Sequence, residues 1–392
     1  MLPRTSKVLE FVITKFDVAF TMGRVFGLLP VMLMSHAMTD QAELAAQISS
    51  YQIALFISTV VLYGGPQVYL FKIGIEQRIF VYHMAISSLI AAVILTILDW
   101  FGMTDGIFLP FLFLIFFRSY YLLFASYLKF DAMRSFLLLM GAVVVLCVYA
   151  ITLDYIISTV IAAPLVLWQI RDLKYNKLVY GLAAFRGYFK LLLRNFSYYY
   201  NFLLQQTYSQ IVLAVYALLE SGMMYLQVAH AVYIYSISFI FHGVLFRLTL
   251  ANMGRTREVE STRRHLFENF RISMLVGLGA AAMVVAFFRP IERVLFGESL
   301  LDQTTAAMVA LMIILNSSNF GWAALLTSQR RPYTLALIGS LATGFVVAGI
   351  FLQEFLALRN GVFFVMILGL VIQAVARAAL GRRVLKDISK LR

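Results

Sequence analysis

Long apolar runs, broken by short polar or charged segments, recur along the whole chain. A helix needs about 20 apolar residues to cross a bilayer. The pattern predicts about twelve spans, over residues 11–35, 44–71, 79–98, 106–128, 133–152, 155–170, 196–218, 223–250, 272–288, 303–327, 333–352 and 361–380. The fourth and fifth are parted only by the cluster Lys129, Asp131 and Arg134, and the sixth is short. The runs lack the apolar–polar alternation of β-barrel strands. The expected fold is an all-α polytopic membrane protein.

Positive charge orients it. With the N-terminus in the cytoplasm, the inside segments hold 24 Lys and Arg and the outside segments three, Arg289, Arg293 and Arg359. Cytoplasmic loops collect such residues, so both termini are expected on the cytoplasmic side of an inner membrane. The outside loops carry Asp40, Glu43, Asp99, Glu220, Glu298 and Asp302 instead. In the long inside segment 171–195, Arg186, Lys190 and Arg194 recur every four residues on one helical face. It reads as an amphipathic elbow on the inner leaflet. It separates an N-terminal lobe (1–170, spans one to six) from a C-terminal lobe (196–392, spans seven to twelve, with a short basic tail).

Weak internal repetition points the same way. Shifted by 175 residues, Gln52 falls on Gln227, Phe71 on Phe246 and Lys72 on Arg247. Shifted by 202, Ser126 falls on Ser328 and Lys129 on Arg331. Two similar lobes are a common plan in secondary transporters.

Composition narrows the function. Of 392 residues, 62% are hydrophobic and 13% charged, with a mean hydropathy of +0.86. Twelve spans use about 240 residues, which leaves no room for a sizeable soluble catalytic domain. The net charge of +13 follows from the basic inside loops and gives no reason to expect a nucleic-acid partner. Cys147 is the single cysteine and cannot form an intrachain disulfide. The first apolar stretch contains Lys15, Asp17 and Arg24 and does not read as a cleavable signal. No zinc-protease, phosphate-loop or serine-hydrolase motif occurs, and His36, His83, His230, His242 and His265 lack metal-ligand spacing. The expectation is a non-enzyme without cofactor or metal.

Polar residues at membrane depth are the candidate site. Arg24 and Arg118 lie near the middle of the first and fourth spans, where a charge costs about 2.5–3.5 kcal/mol even on the lenient insertion scale. Each should face a wet cavity or an acid. Asp17, seven residues before Arg24, is a coupling acid or an ion-pair partner. Lys72, Arg247 and Arg377 sit at inner span ends, where snorkelling competes with a role at the cytoplasmic mouth. Tyr198, Asn201, Gln205 and Tyr208 form a polar stripe on the seventh span. Such groups bind sugar hydroxyls and phosphate, or glue helices together. Gln227 and His230 share a face near the outside, and Asn316, Ser317, Ser318 and Asn319 lie mid-way along the tenth span. Gly64-Gly65-Pro66 can bend the second span before Gln67.

These features together resemble the polysaccharide-flippase branch of the multidrug/oligosaccharidyl-lipid/polysaccharide (MOP) exporter superfamily. The likeness rests on the six-plus-six organisation, the basic elbow, Gly64-Gly65-Pro66-Gln67 with Lys72, and the segment 287–331, where Phe296-Gly297 precede a helix ending in Ser328 and Arg330-Arg331. The family's seventh span often carries an early acid, where this chain has Asn201 and Gln205. The resemblance implies a V-shaped, two-lobed transporter that flips an undecaprenyl-pyrophosphate-linked oligosaccharide for surface polysaccharide, such as O-antigen, beside membrane lipids and the polysaccharide polymerase machinery. Arg24, Arg118, Arg247, Lys72, Tyr198, Asn201, Gln205, Asn316 and Asn319 would line its cavity. A small-molecule or drug antiporter of the same superfamily and a membrane enzyme of polysaccharide assembly are the alternatives. Sparse central carboxylates count against the first, and short outside loops against the second.

Overall fold

The computed structural model describes residues 29–62, 77–103, 196–220, 222–238, 259–328, 332–356 and 361–390, with isolated positions between 144 and 193. They form helices α1 (Leu29–Ala37), α2 (Gln41–Leu62), α3 (Gln77–Trp100), α4 (Phe196–Ala217), α5 (223–238), α6 (Val259–Phe296), α7 (Gln303–Ser328), α8 (Pro332–Leu356) and α9 (Gly361–Lys390). Of these, Glu260–Phe296, Gln303–Thr327, Tyr333–Leu352 and Gly361–Lys386 are long and apolar enough to cross a membrane.

Most boundaries follow the apolar runs, but two helices outlast them. α6 begins at Val259, ahead of the expected 272, and α9 continues to Lys390, so the basic tail is helical. A span ends where the apolar solvent ends, while backbone hydrogen bonding can continue into water. On the charged flank of α6, the exposed Arg264 pairs one turn on with Glu268, Nε to Oε1 at 3.0 Å.

Around its apolar core the packing departs from that of a water-soluble domain. Leu275, Leu278, Met283, Leu337, Leu341 and Phe364 are exposed, while Asn269, Ser273, Asn316, Ser317, Asn319, Gln373 and Arg377 are buried. Lipid is the solvent that makes this stable: apolar side chains face hydrocarbon, and polar groups find partners between helices. Gly277 of α6 packs directly against Ser317 of α7, in space that a β-carbon would occupy. Ser317 in turn bonds the carbonyl of Ile313 at 2.7 Å.

Neighbouring helices form a closed circuit. α2 packs on α4, α4 on α8, α8 on α9, α9 on α7, α7 on α6, α6 on α1, and α1 on α2; α3 also packs on α2. From Tyr225 to Tyr235 nearly every residue of α5 is buried, apart from the half-buried Gln227. α5 is therefore enclosed, and apolar on most faces as an enclosed helix must be. The elbow's Arg186, Lys190 and Leu193 are helical and exposed. The rest of the elbow and most of spans four to six fall outside the described residues.

α6 bends near its end. Phe287 leaves helical geometry (φ −128°, ψ 20°) three residues before Pro290. Proline cannot donate to the carbonyl four residues back, and its ring crowds that carbonyl. The last two turns are thereby re-aimed, and they carry Glu292.

Candidate functional site

Two buried polar assemblies stand out. The first lies within the C-terminal half. On α7, the Asn319 amide donates to the carbonyls of Leu315 (3.2 Å) and, across the helix interface, Leu370 of α9 (3.4 Å). Asn316, 7% exposed, has an amide nitrogen with no hydrogen-bond partner. One and two turns beyond Leu370, Gln373 and Arg377 are also buried. Arg377 is 6% exposed, its Nε has no partner, and among the described residues no carboxylate pairs with it. The phenol of Tyr235, on the enclosed α5, lies within electrostatic reach of Arg377 and of Tyr208. Of the two readings open for Arg377, snorkelling is not what the structure shows, because the side chain is packed among helices and not extended to a surface. A bare cation in this setting is costly and calls for an anion or water.

The second assembly lies at the end of the bundle where α1 turns into α2, α4 into α5 and α6 into α7. His230 Nδ1 meets Glu292 Oε1 at 2.9 Å, with both side chains fully buried. Glu292 accepts three further donors from the following turn: Ser299 Oγ at 2.8 Å, Leu300 N at 2.9 Å and Leu301 N at 3.2 Å. Gln227 Nε2 reaches the Leu300 carbonyl at 3.3 Å, and Phe296 stacks on the His230 ring at 3.9 Å between centroids. Gly297 has a φ of 80°, a conformation that closes a helix end and favours glycine. The same turn touches the N-terminal half. Gln41 Nε2 donates to Glu298 Oε2 at 2.9 Å, and the His36 ring lies against Gly297. Deeper between the halves, Gln52 of α2 donates to the phenol of Tyr233 of α5.

Of the residues singled out by sequence, Asp17, Arg24, Lys72, Arg118 and Arg247 lie outside the described residues. Tyr198, Asn201 and Gln205 are on α4 as expected, with only their backbone described. Tyr208, the fourth member of that stripe, is buried and donates to the Met366 carbonyl at 3.2 Å. At that position the stripe joins helices. Asn316 and Asn319 are inside the bundle, near α9. Gln227 and His230 do share a face, and both engage the 292–300 segment. Sequence reasoning missed Glu292 altogether. Its signal is an acid two residues after a proline, in Arg289-Pro290-Ile291-Glu292, just beyond an apolar run.

Solved structures share this fold across nearly the whole chain. A multidrug-resistance MATE-family transporter of the MOP superfamily, in an inward-facing conformation, matches with a TM-score of 0.65 and 13% identity, over 96% of this chain and 98% of the other. A MOP-superfamily transporter from Pyrococcus furiosus Vc1, with a binding pocket of reverse polarity that suggests a different function, matches at 0.63 and 15%, over 96% of each chain. A eukaryotic MATE transporter matches at 0.59 and 13%, over 96% and 98%. No protein-family profile and no curated protein sequence matches the chain. The chain thus has the all-helical fold of MOP-superfamily transporters.

Proposed function

We propose that this protein is a transporter of the cytoplasmic membrane that moves an anionic, lipid-linked cargo to the outer leaflet by alternating access. The cargo best suited is an undecaprenyl-pyrophosphate-linked oligosaccharide. The carrying observation is Arg377, buried without a carboxylate partner among the described residues, in the half that also buries the unpartnered Asn316 amide. Guanidinium binds phosphate through paired hydrogen bonds, and amides suit phosphate oxygens and sugar hydroxyls. Arg24 and Arg118 would add cations from the N-terminal half, with Lys72 and Arg247 at the cytoplasmic mouth. The chain is read as two six-helix lobes joined by 171–195. Both termini are read as cytoplasmic, which puts the turns at 38–40, 218–222 and 297–302 outside. The polymerase machinery is the natural consumer of the delivered cargo.

A drug antiporter shares the fold and is the rival reading. A pump for cations needs a free carboxylate in its path. Among the described residues, Glu292 is the one buried carboxylate, and four donors already occupy it. The test is ligand-dependent thermal stability of the detergent-purified protein. Undecaprenyl pyrophosphate should raise the melting temperature, neutral undecaprenol should not, and Arg377→Ala should abolish the effect. Stabilisation by a lipophilic cationic dye, with none by the pyrophosphate, would favour the antiporter.

A further inference from the structure

We propose that the turn 297–301 is an outer latch between the two halves, and that Glu292 is the residue that positions it. The inference rests on the orientation and alternating access proposed above. It assigns unequal roles to two sets of contacts at one end of the bundle.

The anchoring set is dry and saturated. Glu292 is fully buried and accepts from His230, Ser299, Leu300 and Leu301, all within the C-terminal half. Hydrogen bonds to a charged acceptor are the strong ones, and a buried carboxylate robbed of donors is expensive. This set should stay intact through the transport cycle. The kink at Phe287 and Pro290 aims Glu292 at the turn, and Gly297 lets the chain reverse there.

The closing set at the turn itself is small. Above the apolar packing of α2 on α4 and α1 on α6, its polar contact is one hydrogen bond, Gln41 to Glu298, where both side chains are partly buried. The His36 ring borders the space that a β-carbon on Gly297 would occupy. Beneath it lies the Gln52–Tyr233 pair. The acceptor is a carboxylate here too, but the bond is single and only partly buried, so water competes for both partners. At the outer mouth the polar junction therefore parts at Gln41–Glu298, while the turn itself moves as a rigid piece of the C-terminal half. The turn closes the outer mouth only while Glu292 holds it in register.

The test uses the full chain with Cys147 replaced by Ala. Gln41→Cys and Glu298→Cys are introduced together and bridged with a short bis-thiosulfonate. A linker is needed because two long side chains meeting tip to tip hold their β-carbons farther apart than a disulfide spans. Bridging should be fast and should stop cargo movement until the linker is reduced. In a separate chain, Ser49→Cys reports access between the halves, since Ser49 lies beside Tyr225 of α5. Adding Glu292→Gln should speed its labelling by an impermeant thiol reagent from outside about tenfold, the size of one lost charge-assisted bond. It should also slow bridging of the Gln41/Glu298 cysteines. Ser299→Ala, which removes one donor and keeps the carboxylate, should shift both readouts the same way by less, so the inference does not depend on Glu292→Gln folding. Labelling and bridging need no cargo. A protein that shows both but moves no lipid pyrophosphate would contradict the proposed cargo and leave the latch standing. Bridged protein that transports at the unbridged rate, or labelling and bridging that Glu292→Gln and Ser299→Ala leave unchanged, would overturn the latch.

Discussion

His230 and Glu292 meet at 2.9 Å from adjacent helices, and neither side chain is open to solvent. His230 Nε2 has no partner, and the ring face is covered by Phe296. Nδ1 is thus the ring atom that serves the carboxylate.

That relationship predicts unequal losses. Glu292→Ala orphans the buried donors of His230, Ser299, Leu300 and Leu301, at about 1–3 kcal/mol for each one left unsatisfied, and should cost about 3–5 kcal/mol of stability in all. His230→Phe leaves Glu292 three donors and should cost about 1–3 kcal/mol. The double variant should fall close to Glu292→Ala alone, not to the sum. Denaturation of the purified single and double variants in mixed micelles checks this; additive losses would mean that the two residues act independently.

Pro290→Ala tests the bend. It supplies the missing amide donor and removes the ring, so α6 should run straighter through Phe287. Glu292 would then lose register with His230 and the 299–301 amides. The expected result is a lower melting temperature despite alanine's better helix propensity. A gain in stability would show that the bend is incidental.

Helix gluing has a milder signature. Tyr208→Phe removes one hydrogen bond to the Met366 carbonyl and should cost about 0.6–1 kcal/mol, with cargo affinity unchanged. Gly277→Leu forces a side chain into Ser317 and should cost about 1–3 kcal/mol by parting α6 from α7. Melting curves and cargo-dependent stabilisation, measured on the same samples, separate packing from binding.

Orientation is open to a direct check. A reporter active only in the periplasm, fused after Arg392, should be silent, and the same reporter inserted at Glu220 should be active. The reverse pattern would invert the membrane and place the latch on the cytoplasmic face.

What the sequence makes legible is the solvent, more than the site. Apolar runs locate α3, α4, α7, α8 and the start of α2 to within a few residues, because a bilayer imposes a length and a composition. The same signal fails at the flank of α6, where Arg264 pairs with Glu268, and at the tail of α9, because backbone hydrogen bonding continues past the apolar run. It fails again for Arg377. Position near a span end suggests snorkelling, but burial depends on which helices surround it. Glu292 was invisible for a related reason. Its four partners come from α5 and from a turn up to nine residues downstream, and neither periodicity nor motif brings them together. Asn316 and Asn319 were legible, since amides mid-way along an apolar helix must turn inward.

The central claim is that the cargo is an anionic lipid, and the most direct measurement is its movement in reconstituted vesicles. A fluorescent oligosaccharide on undecaprenyl pyrophosphate, loaded into the leaflet matching the cytoplasmic side, is followed by its exposure to an impermeant quencher or glycosidase. The account predicts protein-dependent exposure that falls at least about tenfold with Arg377→Ala and recovers only in part with Arg377→Lys, since lysine keeps the charge and loses the bidentate geometry. Vesicles that expose the lipid no faster than protein-free controls, yet exchange a cationic dye for protons, would contradict it.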